Sequence, residues 1–314
     1  MSRTHAELVV LRELRTVLGT FRPMGIAVGK DKRNRTSLRP FASRTGRNQP
    51  SANAFIFGNA APARFLVQPE PGRGLALIDW CQQEFGIAAA LSEDGGMTAA
   101  YLDEDPYIKF AELAGAAPVG ATAKTHPAVR EQYKTCALGV QYGMSARGLA
   151  RILGNSLSAA TNLLEHHKRV FPKFWLWSDD IESRGLLYGE LQSVFGWQVK
   201  VDADANPRFL RNFPMQANGA EMMRLACCLV TEAGIEVCAP LHDALLIEAP
   251  LADLEIAVGQ TQRLMAEASS VVLDGFELRS EAKIVRHPDH LGETHKSVVW
   301  SAIQRLIEER RNNA

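Results

Sequence analysis

Asp79 closes the apolar run Leu75-Ala76-Leu77-Ile78, and Asp243 follows the run from Ile235 to Leu241, in the stretch Leu241-His242-Asp243-Ala244-Leu245-Leu246-Ile247-Glu248. A carboxylate at a strand end is well placed to face a shared cleft. Two of them can hold a pair of divalent cations ~3.5–4 Å apart, the arrangement that drives in-line displacement at phosphorus. Between them lies a basic helix pattern from Arg130-Glu131-Gln132-Tyr133-Lys134 to Tyr142-Gly143. Arg130, Lys134, Leu138 and Tyr142 recur at four-residue spacing, so they drift slowly around one helix face. Two cations, an apolar residue and an aromatic one, in that order, match the phosphates, sugar and base of a nucleoside triphosphate. Arg holds phosphate through two hydrogen bonds and Lys supplies a point charge.

Each signal has a plainer explanation when taken alone. Asp79-Trp80-Cys81-Gln82-Gln83-Glu84 offers Asp79 as a metal ligand and the Trp80 carbonyl as a second oxygen, since backbone oxygens suit hard cations. By itself that segment is better explained by Asp79 as a helix cap and Glu84 as a surface charge. His242-Asp243 lies where two strands meet, and a turn with a local hydrogen bond accounts for it equally. Arg208, Asn212 and Gln216, spaced by four, form a polar stripe that could donate to the minor-groove acceptors every base pair presents. Caps and surface positions explain them as well. Phe174, Trp175 and Trp177 read as core, His166-His167 lacks a metal-ligand partner, and Ser145, Ser156 and Ser158 read as caps.

The elements that must position these residues follow from periodicity and punctuation. We expect an amphipathic helix over Ala6 to Leu18, an irregular segment over 20–60, a strand over Gly74 to Ile78 and a helix over Gln82 to Leu91. A short helix over Asp105 to Leu113 precedes the long one, which Pro127 opens and Gly143 ends. Ser145 caps the next helix, which stops at Gly154-Asn155. Helices over Ser158 to Val170 and Pro172 to Ser183 follow, the second stopped by Gly185, then a hairpin turning near Phe195-Gly196. Met215 to Ala233 is a strong helix ended by Gly234. Two strands around Asp243, a helix over Leu251 to Ser269 and a strand over Phe276 to Val285 complete the chain. Strands flank a helical middle, so the class is α+β.

Composition bounds the partners. With 314 residues, 46% hydrophobic and 22% charged, the chain can bury a substantial core. No apolar stretch approaches the ~18 residues that span a bilayer, and no secretory signal opens the chain, so no membrane partner is expected. The five cysteines form no C-x-x-C, which signals neither a zinc site nor a disulfide framework and suits a reducing cytoplasm. Net charge is zero, but residues 1–47 hold eleven Lys or Arg against Glu7, Glu13 and Asp31, a balance of +8. Residues 70–107 hold eight Asp or Glu against Arg73 alone, a balance of −7. A basic arm beside an acidic pocket fits a protein that grips phosphates at one place and metals at another.

Together these segments resemble the polymerase core of family A DNA polymerases. Thr45-Gly46-Arg47 resembles the family's T-G-R, whose Arg contacts the primer-terminal minor groove. Asp79 to Glu84 is similar to D-Y-S-Q-x-E, the first metal-binding motif, and Glu84 falls on the residue that blocks a ribose 2′-hydroxyl. Arg130-x3-Lys134-x7-Tyr142-Gly143 resembles the fingers helix R-x3-K-x7-Y-G, which binds the incoming triphosphate. His242-Asp243 resembles the H-D-E motif that supplies the second metal carboxylate, and Arg208, Asn212 and Gln216 fall on the pattern preceding it. Four departures stand out: Ala244 replaces Glu, Cys81 replaces Ser, Leu138 replaces Phe or Tyr, and Tyr107 lies near an expected His.

The resemblance implies a right-hand palm built on an antiparallel sheet, with a helical fingers insertion. The palm would comprise residues 1–90 and 206–314, and the fingers 91–205. It implies template-directed addition of dNTPs to a primer 3′ end on primer–template DNA, with two Mg²⁺ ions held by Asp79, Trp80 and Asp243. Arg130, Lys134, Leu138, Tyr142 and Glu84 would bind the nucleotide, with Lys134 as general acid. Arg47, Arg208, Asn212, Gln216 and His242 would meet DNA. Only about forty residues precede the T-G-R match, so we expect neither thumb nor 3′–5′ exonuclease, hence no proofreading and poor processivity unless a partner restores the grip. Three rivals remain. A single-subunit RNA polymerase shares this palm, but Glu84 argues against it. A truncated, non-catalytic primer–template-binding remnant is motivated by Ala244. A metal-dependent nuclease would gather more acidic ligands than this sequence has.

Overall fold

The computed structural model describes residues 28–50, 55–58 and 61–292, together with isolated positions nearer each end. The helix expected over 6–18 lies, apart from three positions, outside the described residues. Strands β1 (Leu38–Arg39) and β2 (Gln49–Pro50) pair antiparallel, and two 3₁₀ turns, Ile56–Gly58 and Ala61–Leu66, follow. This keeps the segment short of regular structure, as its Arg-, Gly-, Ser- and Pro-rich composition implies.

Strand β3 (Arg73–Trp80) exceeds its expected length at both ends and carries two distinct faces. Ala76, Ile78 and Trp80 are buried on one; Leu75, Leu77 and Asp79 alternate onto the other. After β3 come helices α1 (Gln83–Ser92), α2 (Gly95–Leu102), α3 (Pro106–Leu113) and α4 (Pro127–Gln141). Next are α5 (Ala146–Leu153), α6 (Leu157–Val170) and α7 (Pro172–Tyr188), then the small hairpin of β4 (Glu190–Gln192) and β5 (Gln198–Lys200). The chain returns through α8 (Pro207–Glu232), β6 (Glu236–Leu241), β7 (Ala244–Pro250), α9 (Leu254–Val272) and β8 (Ser280–Arg286). The main sheet has the order β6-β7-β3-β8, all antiparallel, so strands distant in sequence flank β3 on both sides. The α+β class and the antiparallel sheet with a helical insertion are what the structure has.

Helix α9 covers the buried face of the sheet, and the Trp80 indole N–H donates to the Met265 carbonyl within it at 3.3 Å. The opposite face buries Leu75, Leu246 and Val285 under Leu291, with Phe57 and Val67 packed alongside. Four local expectations change. Helix α2 was hidden by Gly95-Gly96; Asp94 makes it possible by accepting from Met97 N at 2.9 Å, and its other oxygen accepts from Lys173 N and Phe174 N at the start of α7. Helix α7 runs through Gly185, which is buried against Leu191, and ends instead at Gly189 with φ 70°. Helix α8 begins at Pro207, capped by Asn206, rather than after the interior Pro214. Ser145 and Ser156 are caps, whereas Ser158 lies inside α6.

Candidate active site

The turn between β6 and β7 is only two residues, His242 and Asp243. His242 takes φ 29°, in the left-handed region, a conformation that persists where the surroundings impose it. A two-residue hairpin turn calls for such a conformation at its first residue, and Trp80 N ties the turn to β3 by donating to the Asp243 carbonyl at 3.0 Å. Register sets Asp79 opposite Ala244 on one side and opposite Glu281 of β8 on the other. Side chains of cross-strand partners share a face, so Glu281 is a carboxylate neighbour of Asp79 on β8, and Asp243, in the turn just before Ala244, is a second. Asp79 is pushed up to about 7, first by dehydration and then by the charges of Asp243 and Glu281. Asp79, Asp243 and His242 line one cleft of about 340 Å³, along with Arg47, Asn48 and Arg224.

A carboxylate raised by dehydration and by like charges is one whose charged form a cation would stabilise. Among the described residues no three His, Cys, Asp or Glu side chains gather closely enough to cage an ion alone. Mg²⁺ does not demand such a cage, because it keeps several waters and is held by one or two carboxylates plus substrate phosphates. Asp79 and Asp243 therefore fit an ion shared with a phosphorylated substrate.

A second cluster forms beside the first. Arg47 Nη2 donates to Glu84 Oε1 at 3.3 Å. The Tyr142 hydroxyl lies beside Glu84 and Gln216, and it is pushed up to about 12, first by burial and then by the neighbouring Glu84. Four residues from four separate segments thus meet. Their placement has local causes. Gly46 sits at φ 69° with the Trp197 ring 3.1 Å from where a Cβ would be, and Arg47 N donates to Ser43 Oγ at 2.8 Å. Gln82, at φ 45°, turns the chain sharply from β3 into α1, so that Glu84 follows Asp79 on the same side.

The other expected residues are placed as follows. Arg130 and Lys134 stand one turn apart on α4, outside the lining of the cleft. Arg130 pairs with Asp105, and among the described residues Lys134 has no ion-pair partner. Leu138 is half-buried and Arg208 is exposed beside Gly143. Asn212 is only 6% exposed and its side-chain amide donates to the Gln141 carbonyl at 3.3 Å, which ties α8 to the end of α4. The Trp80 side chain is buried, leaving only its backbone beside Asp243. Sequence reasoning missed Glu281, Asp105 and Arg224. Strand alternation puts Glu281 and Lys283 on one face, but only the register with β3 reveals Glu281 opposite Asp79. Asp105 before Pro106 reads as a helix cap, which it is, and nothing local announces its second partner.

A four-stranded antiparallel sheet with a long helical insertion and carboxylates at the ends of its two central strands has the architecture of a nucleic-acid polymerase palm. The sequence profile described as DNA polymerase family A matches residues 27–285, and the chain belongs to that family. It is 29% identical over 213 residues to a thermostable DNA polymerase I of Thermus caldophilus, which covers 63% of this chain and 25% of that protein. It is 28% identical over 269 residues to the DNA polymerase I of Chloroflexus aurantiacus, covering 81% of this chain and 26% of that one. A DNA polymerase of Mycobacterium phage D29 is 26% identical over 255 residues, 79% of this chain and 41% of its own length. The POL domain of Pol1 from M. smegmatis, solved in complex with DNA primer-template and dNTP, superposes with a TM-score of 0.73 at 22% identity over 87% of this chain and 50% of that one. At that identity the likeness shows the fold. The chain spans about a quarter of the length of the bacterial relatives it matches.

Proposed function

We propose that this chain carries out template-directed DNA synthesis, adding dNTPs to a primer 3′ end by nucleotidyl transfer at Asp79 and Asp243. The observation that carries the reading is the convergence of those two carboxylates, 164 residues apart, on one cleft that Arg47 and His242 also line. Residues 1–90 and 206–314 act as palm and 91–205 as fingers. Two Mg²⁺ ions, when bound there with the Trp80 carbonyl as a further oxygen, would make the primer 3′-hydroxyl nucleophilic and neutralise the leaving pyrophosphate.

The chain's own groups do the rest. Arg130 and Lys134 bind the triphosphate, and Lys134, without a carboxylate partner among the described residues, can give a proton to the departing pyrophosphate oxygen. Leu138 and Tyr142 border the nucleotide's sugar and base. Glu84, held by Arg47 beside Tyr142, presents a carboxylate that excludes a ribose 2′-hydroxyl by bulk and dehydration, which favours dNTPs over rNTPs. Arg47, Arg208, Gln216 and His242 meet the primer–template, with Asn212 bracing the joint beneath them.

Extension of a labelled primer on a DNA template with Mg²⁺ and all four dNTPs tests the reading. The wild-type chain should extend and Asp243→Ala should not, while the variant melts no lower than wild type. One observation favours a second reading: Ala244, buried across from Asp79, stands where the resembled motif has Glu. On that reading the chain binds primer–template without extending it, and the same assay, read beside a binding titration, tells the two apart.

A further inference from the structure

Arg130 occupies the fourth position of α4, and its guanidinium is held from one side only. Its Nε donates to Asp105 Oδ2, and the guanidinium lies over the Tyr107 ring at 5.6 Å from the centroid. Among the described residues neither Nη1 nor Nη2 meets a protein acceptor. Asp105 is itself immobilised, because its Oδ1 accepts from Tyr107 N at 3.0 Å and Ile108 N at 3.2 Å, the cap of α3. Tyr107, 4% exposed, stands edge-on to Phe85 at 6.3 Å, so the ring beneath the guanidinium is fixed by the core next to Glu84.

We propose that Asp105 is the positioning residue for Arg130. One oxygen caps a helix and the other holds the Nε edge of the guanidinium from behind. The Nη1–Nη2 fork then faces outward, which is the geometry for two parallel hydrogen bonds to phosphate oxygens. The inference rests on the polymerase reading only in taking the ligand of Arg130 to be a nucleoside triphosphate. An ion pair between two mobile surface chains would orient little. Here the carboxylate is pinned by backbone and the cation by a buried ring, so the fork is set before the ligand arrives and less ordering is needed on binding.

The test is a calorimetric titration of the full chain with Mg²⁺-dNTP, using wild type, Asp105→Asn, Arg130→Ala and the double variant. Asn keeps an oxygen for the cap and removes the charge, so the melting temperature should hold while affinity falls roughly tenfold, the scale of one oriented charge-assisted contact. Adding Asp105→Asn to Arg130→Ala should weaken binding no further. Wild-type affinity in Asp105→Asn, or losses that multiply in the double variant, would overturn the proposal. Triphosphate binding without primer extension would count against the polymerase reading and leave this one standing. No binding by the wild type would overturn both.

Discussion

Asp79 is the residue at which stability and proposed chemistry conflict. Its carboxyl is raised from an ordinary value near 3.8 to about 7 by dehydration and by Asp243 and Glu281. For a carboxylate with a raised folded value, the contribution to stability is present below the unfolded value and is lost as pH climbs through the folded one. Without metal, the chain should therefore weaken between about pH 4 and pH 7. Asp79→Asn should melt higher than wild type at pH 8 and alike at pH 4. The gain is a few degrees at most, because Asp79 opens on solvent. A variant that melted lower at pH 8 would contradict the like-charge account. The same linkage makes cation binding release a proton, so the Mg²⁺ concentration giving half-maximal extension should rise as pH drops below 7.

At the scale of the element, the end of α4 carries an unusual load. Gln141 is 2% exposed, and among the described residues neither its side-chain oxygen nor its nitrogen has a partner. An unmatched buried amide is destabilising by about 1–3 kcal/mol, and an apolar side chain of similar volume removes the penalty. Gln141→Leu should raise the denaturation midpoint by that order, read by urea titration, while the Asn212 bond to the Gln141 carbonyl survives because it uses backbone. In the next layer, His167 is fully buried among Phe110, Phe171 and Phe174 and accepts from the Trp175 indole N–H at 3.1 Å. Burial depresses it from 6.5 to about 3. Its contribution is thus present above pH 6.5 and lost as pH falls toward 3, on the order of 5 kcal/mol in all. His167→Gln, which keeps an acceptor for Trp175 but does not titrate there, should flatten the acid limb of the stability profile.

At the scale of the whole molecule, what could be read in advance divides along a physical line. Helix α4 and its Arg130–Tyr142 stripe were legible because period, Pro127 and Gly143 are all local signals. The paired carboxylates were legible because each ends an apolar run. Register is not local. That Asp79 faces Glu281 depends on β8 lying beside β3, and nothing within Ser280–Arg286 states which strand it joins. Helix α2 escaped because two glycines masked a cap whose aspartate also starts α7, a partner 79 residues away. Arg47, Glu84, Tyr142 and Gln216 were each singled out by a motif, whereas their meeting required the fold.

The sheet order has a consequence for how the molecule is made. Strand β3 is central, yet both neighbours, β7 and β8, are encoded after the entire helical insertion. The 164 residues from Asp79 to Asp243 occupy a ribosome for roughly 8–33 s at ordinary elongation rates. Throughout that time the strand Leu75-Ala76-Leu77-Ile78 lacks both of its eventual edges. The nascent chain therefore carries an apolar ribbon with two open sides, a natural target for a holdase chaperone, until β7 follows the His242–Asp243 turn and closes the first edge.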